Sequence, residues 1–446
     1  MRIIIAGAGE VGGHLAKMLS NENHDIIVID NDPDRLKAVG GSLDVMPMEG
    51  NANSISILKE SKVNKADLFI AVTYSEDVNI NSAILSKKLG ARKTIARIDN
   101  QEYLLPANKE IFSTLGIDYM IYPEKIAARE IVGLLAQTGS TEVVEFSGGK
   151  LHMYVIRLDA DAPIINKSLK EIDPRNEFLE FRAVAITRGG LTIIPSGDDV
   201  FKQGDLVYVI SSKAGMKDLF KYSGKQQFEV RNIMILGGSR IGMRTAKDLG
   251  NQHYVKMVEI DRHKSYKLSN ILNNTLVING DGTDMELLKQ EGLEKMDAFI
   301  AVTGKSDTNI LSCLLAKHMG VKRTIAEVEN MDYIHLAENI GVDTIINKKL
   351  ITASRIFRFT MSEEVSSIKC LTGTDAEVME FVVKPGSRAT KGKVKDIKFP
   401  DAAIIGGVVR GKNSFIVHGE SQIKPYDRVV VFALPSEIHT IGKFFN

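Results

Sequence analysis

Short apolar runs alternate with amphipathic stripes along the first part of the chain. The apolar runs are Arg2–Ala6, Asp25–Asp30, Leu68–Val72, Thr94–Ile98 and Tyr119–Tyr122. Continuous runs of this kind are typical of strands that are buried on both faces of a parallel sheet. Between the first two runs, an apolar stripe follows helical spacing at Val11, Leu15, Met18 and Leu19. Strands that alternate with helices in this way predict a doubly wound sheet.

The same pattern occurs twice in the chain. The segment ADLFIAVTYSEDVNI at Ala66–Ile80 corresponds to MDAFIAVTGKSDTNI at Met296–Ile310, and the glycine turns upstream keep the same offset. After each α/β part the pattern becomes strand-rich, and a hairpin is predicted with Gly189 and Gly190 as its turn. Self-similarity at a fixed period is the mark of a duplicated architecture.

The strand-rich parts also match each other. Ile186–Ile210 parallels Val408–Phe432, with an arginine and an aspartate at equivalent positions of both segments. The sequence therefore predicts an α/β chain with two Rossmann-like, doubly wound parallel-sheet domains, each followed by a small β-rich α+β domain. The predicted division is 1–138, 139–225, 226–364 and 365–446.

Composition excludes several classes of protein. The chain has 57 Lys and Arg against 56 Asp and Glu, so no bulk charge attracts it to nucleic acid or anionic lipid. Two cysteines, Cys313 and Cys370, form neither a disulfide framework nor a metal cluster. No apolar run approaches the roughly 18 residues that indicate a spanning helix. We expect a cytoplasmic protein without a metal site, which reaches a membrane only through a partner.

The motif GAGEVG places Gly7, Gly9 and Gly12 in GxGxxG spacing directly after a strand. The first glycine permits the tight turn, the second lets the backbone approach a pyrophosphate, and the third packs the helix against the sheet. Asp30 closes the second strand, where an acid binds a ribose. Such an acid favours NAD over NADP, because it would repel a 2′-phosphate.

The second loop, GGSRIG, keeps Gly237, Gly238 and Gly242 but has Ser239 where Gly9 stands. A side chain at that position would crowd a pyrophosphate lying close to the backbone. Glu259 preserves the ribose acid, and Arg240 brings a cation where the first half has Glu10. This reversal favours a more highly phosphorylated ligand. We therefore expect two sites that are not equivalent, with the alternative that the second loop is kept only for packing.

Loops after parallel strands gather at one edge of the sheet, where ligands bind. Arg97 follows the core of the predicted strand Thr94–Ile98 and could reach phosphates, although an arginine in a strand is more often a solvated edge residue; its counterpart is Glu327. The candidate residues of the first site are Gly7, Ala8, Gly9, Glu10, Val11, Asp30, Asn51, Ala52, Thr73, Tyr74 and Arg97. Those of the second site are Gly237, Gly238, Ser239, Arg240, Ile241, Glu259, Asp281 and Thr303.

Catalytic machinery is not evident in the sequence. An oxidoreductase needs a general acid or base beside the nicotinamide, and the nine histidines do not group with acids at suggestive spacing. We therefore predict no catalytic residues and a sensor that is not an enzyme. Three alternatives stay open: an NAD-dependent oxidoreductase, a regulatory subunit of a different ion transporter and, less favoured, a transcriptional redox sensor.

The order of parts resembles the TrkA family of potassium-uptake regulatory proteins, which are built from regulator-of-potassium-conductance (RCK) modules. The motifs that carry the resemblance are IIIAGAGEVG, VIDNDPDRL, DLFIAVT, TIARIDN and the pair PSGDDVFKQGD and VHGESQIKPYD. The likeness covers the full chain. Asn51 departs from the aspartate that is usual in the GD loop, whereas Asp281 retains it; Ser239 and Glu327 are further departures.

The resemblance implies a cytoplasmic subunit on the inner face of the cell membrane, beneath a TrkH-type potassium transporter. It implies dinucleotide contacts at Gly7–Val11, Asp30, Thr73 and Arg97, and again at Gly237–Ile241 and Glu259. The implied ligands are NAD(H) at the first site and NAD(H) or ATP/ADP at the second. A homotetramer is also implied, with much of its assembly surface on helices near Glu124–Gln137 and Lys348–Met361.

Overall fold

The first parallel sheet is built from the first quarter of the chain. A computed structural model describes residues 1–20, 24–41, 43–172, 179–189, 191–360, 365–371, 374 and 376–445. The strands of the first sheet are β1 (Arg2–Ala6), β2 (Asp25–Asp30), β3 (Met46–Glu49), β4 (Leu68–Ala71), β5 (Lys93–Arg97) and β6 (Tyr119–Ile121). They pair in the order β3-β2-β1-β4-β5-β6, all parallel. This is the doubly wound order that the alternating pattern predicts.

Six helices follow these strands in turn. They are α1 (Glu10–Ser20), α2 (Pro33–Gly40), α3 (Ile55–Glu60), α4 (Glu76–Leu89), α5 (Pro106–Leu115) and α6 (Pro123–Ala136). The strands β1, β2, β4 and β5 are mostly buried because helices cover the sheet, and Ile3, Ile4 and Ile5 of β1 are fully buried. The carboxyl ends of β1, β2 and β4 therefore gather the loops that contain the predicted site.

The first small domain is an antiparallel sheet. Its strands are β7 (Glu142–Phe146), β8 (Leu151–Arg157), β9 (Phe181–Arg188), β10 (Leu191–Ile193) and β11 (Leu206–Ser212), with helices α7 (Leu169–Ile172) and α8 (Met216–Ser223). The strand order is β10-β9-β11-β8-β7. The predicted hairpin is confirmed, since Leu191 pairs with Arg188 and Gly189 has φ of +57°; Gly190 lies outside the described residues.

The second parallel sheet repeats the first. Its strands are β12 (Asn232–Leu236), β13 (Tyr254–Glu259), β14 (Thr275–Asn279), β15 (Ala298–Ala301), β16 (Arg323–Glu327) and β17 (Thr344–Ile346). The helices that follow these strands in the chain are α9 (Arg240–Leu249), α10 (Arg262–Ile271), α11 (Met285–Gln290), α12 (Ser306–His318), α13 (Asp332–Ile340) and α14 (Lys348–Phe357). The order β14-β13-β12-β15-β16-β17 is that of the first sheet, so the duplication predicted from sequence is also a duplication of topology.

The second small domain closes the chain. It contains β18 (Val365–Cys370), β19 (Glu377–Val382), β20 (Ala403–Arg410), β21 (Asn413–Ile416), β22 (Arg428–Ala433) and α15 (Ile438–Phe445). Its strand order matches that of the first small sheet. Side chains from both small sheets, including Phe146, Tyr208 and Phe432, form one buried core. The predicted fold class is thus confirmed.

The matched arginine and aspartate of the small domains form the same ion pair twice. Arg188 binds Asp205 through two hydrogen bonds of 2.8 and 2.7 Å, and Arg410 binds Asp427 through two of 2.8 and 2.7 Å. Both aspartates are almost fully buried. Parallel double hydrogen bonds of this kind fix geometry as well as charge, so these residues serve the fold of each small sheet.

Helix α14 belongs to the compact unit of the first sheet. One unit contains Met1–Ile126 and Lys349–Ser362, and the other contains Ala127–Lys348 and Glu363–Asn446. In the first unit, the ring centroid of Phe359 lies 4.1 Å from that of Tyr119, the first residue of β6. Most of α14 is buried within the single chain. The expectation that α14 supplies assembly surface is therefore wrong for its buried residues; Met361 lies outside the described residues.

Two findings concern the predicted location relative to a membrane and the predicted domain boundaries. The described part of the chain contains no helix that is long and apolar enough to cross a membrane. The four-part division at 138, 225 and 364 stays a prediction, because the compact units are assembled from separate stretches.

Candidate functional site

The first glycine loop joins β1 to α1. Gly7 has φ of +111°, which side chains rarely adopt, and its N–H donates to the Ile29 carbonyl oxygen over 2.8 Å. A Cβ atom on Gly12 would lie 1.8 Å from the Gly7 carbonyl oxygen. This close packing brings the unpaired amides and the positive dipole end of α1 to the loop.

Asp30 fixes the loop from the end of β2. Its Oδ2 accepts a hydrogen bond from the Ala8 N–H at 2.6 Å, and its Oδ1 accepts from the Asp32 N–H at 2.9 Å. The side chain is only 8% exposed. Each carboxylate oxygen can accept a second hydrogen bond, so Asp30 can hold the loop and still receive a ligand hydroxyl group.

A cavity of about 760 Å³ adjoins this loop, a volume usual for ligand sites. All eleven residues that the sequence predicts for the first site line it, including Asn51, Ala52, Thr73 and the strongly exposed Tyr74. The cavity is also lined by Gly50 of the same loop as Asn51 and by residues that were not predicted, which are Ile29, Asn31, Arg35, Ala38, Val39, Val72, Ser75 and Val78.

Among the lining residues that were not predicted, Arg35 is the charged one. It lies in the first turn of α2, and its Nε is 3.2 Å from Oδ2 of Asp32, which caps that helix. Its Nη1 is the nearest atom, at 4.0 Å, to the position that a Cβ on Gly9 would take. The sequence signal was available, because a helix that follows the ribose acid directs its first turn toward the same edge of the sheet.

A buried asparagine on α4 positions two sides of the cavity. Oδ1 of Asn79 accepts from the backbone N–H of Thr73 at 2.8 Å and from its hydroxyl group at 2.7 Å. Its amide donates to the carbonyl oxygens of Thr73 and Arg97, both at 3.1 Å. Asn79 therefore joins the ends of β4 and β5.

Arg97 lines the cavity from β5, which pairs with β4 and β6, so it is not a solvated edge residue. Its side chain lines the cavity and is 23% exposed. Its Nη2 lies 3.7 Å from an Asp99 oxygen and 3.9 Å from a Glu124 oxygen. The Nε atom is buried without a hydrogen-bond partner in the described part of the chain. An anion in the cavity would supply that missing acceptor.

The second glycine loop keeps the backbone and changes the side chains. Gly237 has φ of +99°, and a Cβ on Gly242 would lie 2.1 Å from the Gly237 carbonyl oxygen. Ser239 caps α9, with its hydroxyl oxygen 3.2 Å from the Gly242 nitrogen. The hydroxyl group thus takes the Gly242 amide, whereas Gly9 at the equivalent position of the first loop has no side chain that could accept from Gly12. Arg240 begins α9, and Ile241 is buried.

Glu259 repeats the role of Asp30 but has a lysine beside it. Its Oε2 accepts from the Gly238 N–H at 2.9 Å and lies 2.8 Å from Lys264 Nζ. Burial opposes its ionisation, but the Lys264 ammonium group and the N–H groups of Asp261 and Gly238 outweigh burial and lower the pKa of Glu259. The carboxylate that the sequence predicts to bind a ribose in the second half is therefore already paired with a lysine of its own domain.

The remaining residues predicted for the second site combine contacts that match the first half with contacts that differ from it. Thr303 is held by Asn309, whose Oδ1 accepts from its N–H at 3.0 Å, as in the first half. Asp281 is exposed and accepts from the Thr283 N–H at 2.9 Å, a hydrogen bond that lowers the pKa of Asp281. Glu327, which replaces Arg97, lies 3.0 Å from Lys348 Nζ.

Comparison with known families identifies both kinds of domain. The TrkA-N domain profile matches residues 3–123 and 233–348, and the TrkA-C domain profile matches residues 153–224 and 378–446. The chain belongs to the TrkA family. Both glycine loops of this TrkA-family chain lie within TrkA-N matches, and both Arg–Asp pairs lie within TrkA-C matches. The resemblance stated from the motifs is therefore confirmed.

Full-length relatives have the same family name. The Trk system potassium uptake protein TrkA homolog of Archaeoglobus fulgidus is 36% identical over 449 residues, and TrkA homolog 2 of Methanosarcina mazei is 33% identical over 456; both matches cover 100% of each chain. TrkA of Vibrio alginolyticus is 31% identical and covers 97% of this chain and 95% of its own.

Solved structures share the fold. The RCK domain of GsuK matches with a TM-score of 0.61 at 18% identity, covering 100% of this chain and 94% of its own. The GsuK channel bound to NAD matches with a TM-score of 0.59 at 18% identity, covering 100% and 78%. At this identity the likeness concerns the architecture of the chain.

Proposed function

We propose that this chain is the nucleotide-sensing regulatory subunit of a potassium uptake system and not an enzyme. NAD(H) binds the first site, in the cavity where Gly7, Asp30 and Arg97 meet, and that cavity is the observation that carries the proposal. The subunit works in the cytoplasm as a homotetramer and regulates a TrkH-type transporter at the membrane. The names of its relatives support the link to potassium uptake.

The residues of the cavity fit a dinucleotide. The loop amides and the N-terminus of α1 would hold a pyrophosphate, as helix N-termini do. The remaining acceptor capacity of Asp30 would hold ribose hydroxyl groups. Arg97 Nε, which is buried without a partner among the described residues, would donate to a phosphate oxygen. Three separate groups thus match the phosphates and the ribose of one ligand.

The same residues support NAD(H) over its 2′-phosphorylated form. Asp30 would repel a 2′-phosphate. Arg35 is the cation that could offset this repulsion, but Asp32 already binds it at 3.2 Å. We therefore expect NADH to bind more tightly than NADPH.

The cavity offers little for proton transfer. Its ionisable described side chains are Glu10, Asp30, Arg35, Tyr74 and Arg97. Asp30 is engaged by two backbone N–H groups, Glu10 by Lys349, and Tyr74 is 94% exposed. A hydride-transfer enzyme requires a positioned acid or base at the nicotinamide, so these engagements favour binding over turnover.

Regulation then follows from linkage. A nucleotide that binds one conformation of the assembly better than another shifts the population by its differential affinity, about 1–3 kcal/mol per site in typical systems. Several sites in a homotetramer would combine these contributions. The transporter senses which conformation is populated.

The second site has a different ligand preference in this proposal. Ser239 caps the helix that would hold a phosphate, and Lys264 neutralises the ribose acid. Both features weaken binding of NAD(H). ATP or ADP, which have one ribose, depend less on the acid and remain candidates for this site.

Calorimetric titration of the full chain with NADH, and then with ADP and ATP, tests the proposal. The near-ultraviolet absorbance of NADH is followed in parallel with candidate small carbonyl substrates present. We expect saturable NADH binding at one site per chain, additive binding of an adenine nucleotide, and constant absorbance.

Each other outcome has a defined meaning. Consumption of NADH would contradict the regulatory proposal and favour an oxidoreductase. Two equivalent NADH sites per chain would contradict the proposed difference between the halves. If neither NADH nor an adenine nucleotide bound, the nucleotide-sensing proposal would be wrong.

A further inference from the structure

Helix α14 places a lysine beside the first glycine loop. Lys349 Nζ lies 2.5 Å from Glu10 Oε1, and both residues belong to the same compact unit. The Lys349 side chain is 8% exposed, whereas that of Glu10 is 65% exposed. A nearly buried ammonium group requires a counter-charge. Glu10 supplies one, so the loop takes part in docking α14.

Glu10 is by itself unfavourable for an anion site. It is the first residue of α1 and lines the cavity with Gly9 and Val11. A carboxylate at a helix N-terminus takes up the favourable dipole field that a phosphate would otherwise use, and it repels that phosphate. The Lys349 ammonium group offsets this repulsion at its source.

The charges at these two positions are reversed together in the duplicated sequence. The position of Glu10 is occupied by Arg240 in the second half, and the position of Lys349 is occupied by Glu124 in the first half. If only one of the two charges were reversed, the loop position and the helix position would have like charges and would repel each other. Their joint reversal is expected if the two charges are matched to each other.

We propose that Lys349 is a positioning residue of the first nucleotide site, which neutralises Glu10 and so couples phosphate binding to docking of α14. The inference rests on the proposed function, because it assumes that a nucleotide occupies the first cavity. Lys349 follows β17 closely in the chain, so the second half of the sequence completes the site of the first half.

Coupling of this kind is reciprocal. If docking of α14 favours a phosphorylated ligand, that ligand must favour docking of α14 by the same factor. Occupancy of the first site then stabilises docking of α14, the helix that follows β17 in the chain.

Titration of the full chain with ADP and with adenosine, in an Asp281→Ala, Glu259→Ala background that weakens the second site, tests the inference. Lys349→Gln leaves Glu10 without this counter-charge, and we expect it to weaken ADP binding about 10-fold. Adenosine has no phosphate to be repelled, so its affinity should change less than about twofold. Glu10→Gln combined with Lys349→Gln should restore ADP affinity to within about threefold of the background.

Two controls distinguish charge from folding. Lys349→Arg keeps the charge and should retain ADP affinity, and Lys17→Gln removes an exposed lysine at the far end of α1 without effect. Equal weakening of ADP and adenosine, with no rescue by Glu10→Gln, would show a merely structural lysine and overturn the inference. Unchanged ADP affinity in Lys349→Gln would also overturn it while leaving the proposed function intact. If the wild-type chain bound no nucleotide, both would be wrong.

Discussion

The glycine loops of the two parallel-sheet domains have nearly the same backbone in different surroundings. Gly7 and Gly237 have φ of +111° and +99°, and each is followed by a third glycine packed on its carbonyl oxygen. In both halves a buried acid at the end of the second strand accepts a loop N–H. The shared features all concern the frame of the loop.

The packing around the loops differs by compensating changes. A Cβ on Gly238 would lie 2.2 Å from Leu268 Cδ1, whereas the first half has the smaller Val39 at the position of Leu268 and Ala8 at that of Gly238. In both halves, space taken by one side chain is given up by its neighbour, as expected for a core packed near crystal density.

The side chains at the predicted ligand positions differ in charge and in hydrogen-bonding capacity. Ser239 replaces Gly9, and Glu327 replaces Arg97. Lys264 pairs with Glu259, whereas its counterpart Arg35 pairs with Asp32. These changes alter charge and hydrogen-bonding capacity, and the new charges are paired within the second half, as Glu327 is with Lys348. The comparison teaches that duplication preserved the frame, while the chemistry offered to a ligand diverged.

The largest expected effect tests the shared frame. Gly12→Ala and Gly242→Ala each place a methyl group within about 2 Å of a loop carbonyl oxygen, and we expect each to destabilise the chain by about 3 kcal/mol. The midpoint of thermal unfolding measures the loss. Gly133→Ala, at an exposed position of α6 with no atom within 4 Å, is the control and should be neutral or slightly stabilising. Tolerance of both loop substitutions would contradict the packing described.

The next effect separates the two acids. Asp30→Ala removes the acceptor of two loop N–H groups and of the ribose, and it should weaken NADH binding about 30-fold, or about 2 kcal/mol. Glu259→Ala makes the equivalent change in the second half and should leave the NADH affinity of the first site unchanged. Calorimetric titration of both variants measures the difference. Equal losses would mean that the halves are not distinct in ligand.

A smaller effect exchanges the loop residues that differ. In the Asp30→Ala background, Ser239→Gly frees the Gly242 N–H and should tighten ADP binding at the second site about threefold, while costing only a few tenths of a kcal/mol in stability. Gly9→Ser in the wild-type background makes the reverse change. It should weaken ADP binding at the first site, where a Cβ meets nothing closer than 4.0 Å. Opposite signs in the two titrations would support the comparison, and equal signs would reject it.

The smallest effect is a dependence of stability on pH. The folded chain lowers the pKa of Glu259, so this carboxylate stabilises the fold above its unfolded pKa of about 4.3. That contribution is lost as the pH falls through the lower folded pKa. Glu259→Gln should therefore show a shallower loss of unfolding free energy in acid than the wild type. A denaturant titration at a series of acidic pH values measures the slopes, and identical slopes would argue against the Lys264 contact.

Much of the fold could be predicted from the sequence because its signals are local. Buried parallel strands appear as apolar runs, and a turn with positive φ requires glycine at Gly7 and Gly237. The predicted strand bounds differ from the observed ones by a residue at most at β4, β5 and β6. The eleven predicted residues of the first cavity lie together because the ends of parallel strands meet at one edge of the sheet.

Other parts of the site depended on packing. Asn79 looked like a polar residue on a helix, yet it is buried and joins two strand ends. From the sequence, Arg97 could have been a solvated edge residue. The structure shows that it lines the cavity. In each case the role is set by neighbours on other elements.

The sequence by itself determined the order of elements, the duplication and the glycine loops, because spacing and backbone preference are properties of neighbouring residues. Only the tertiary structure decided that Lys349 lies beside Glu10 and that α14 joins the unit of the first sheet. An ion pair between residues so far apart in the chain has no local signature. It exists because burial of the apolar face of α14 brings the two charges together, and that burial is a property of the folded chain.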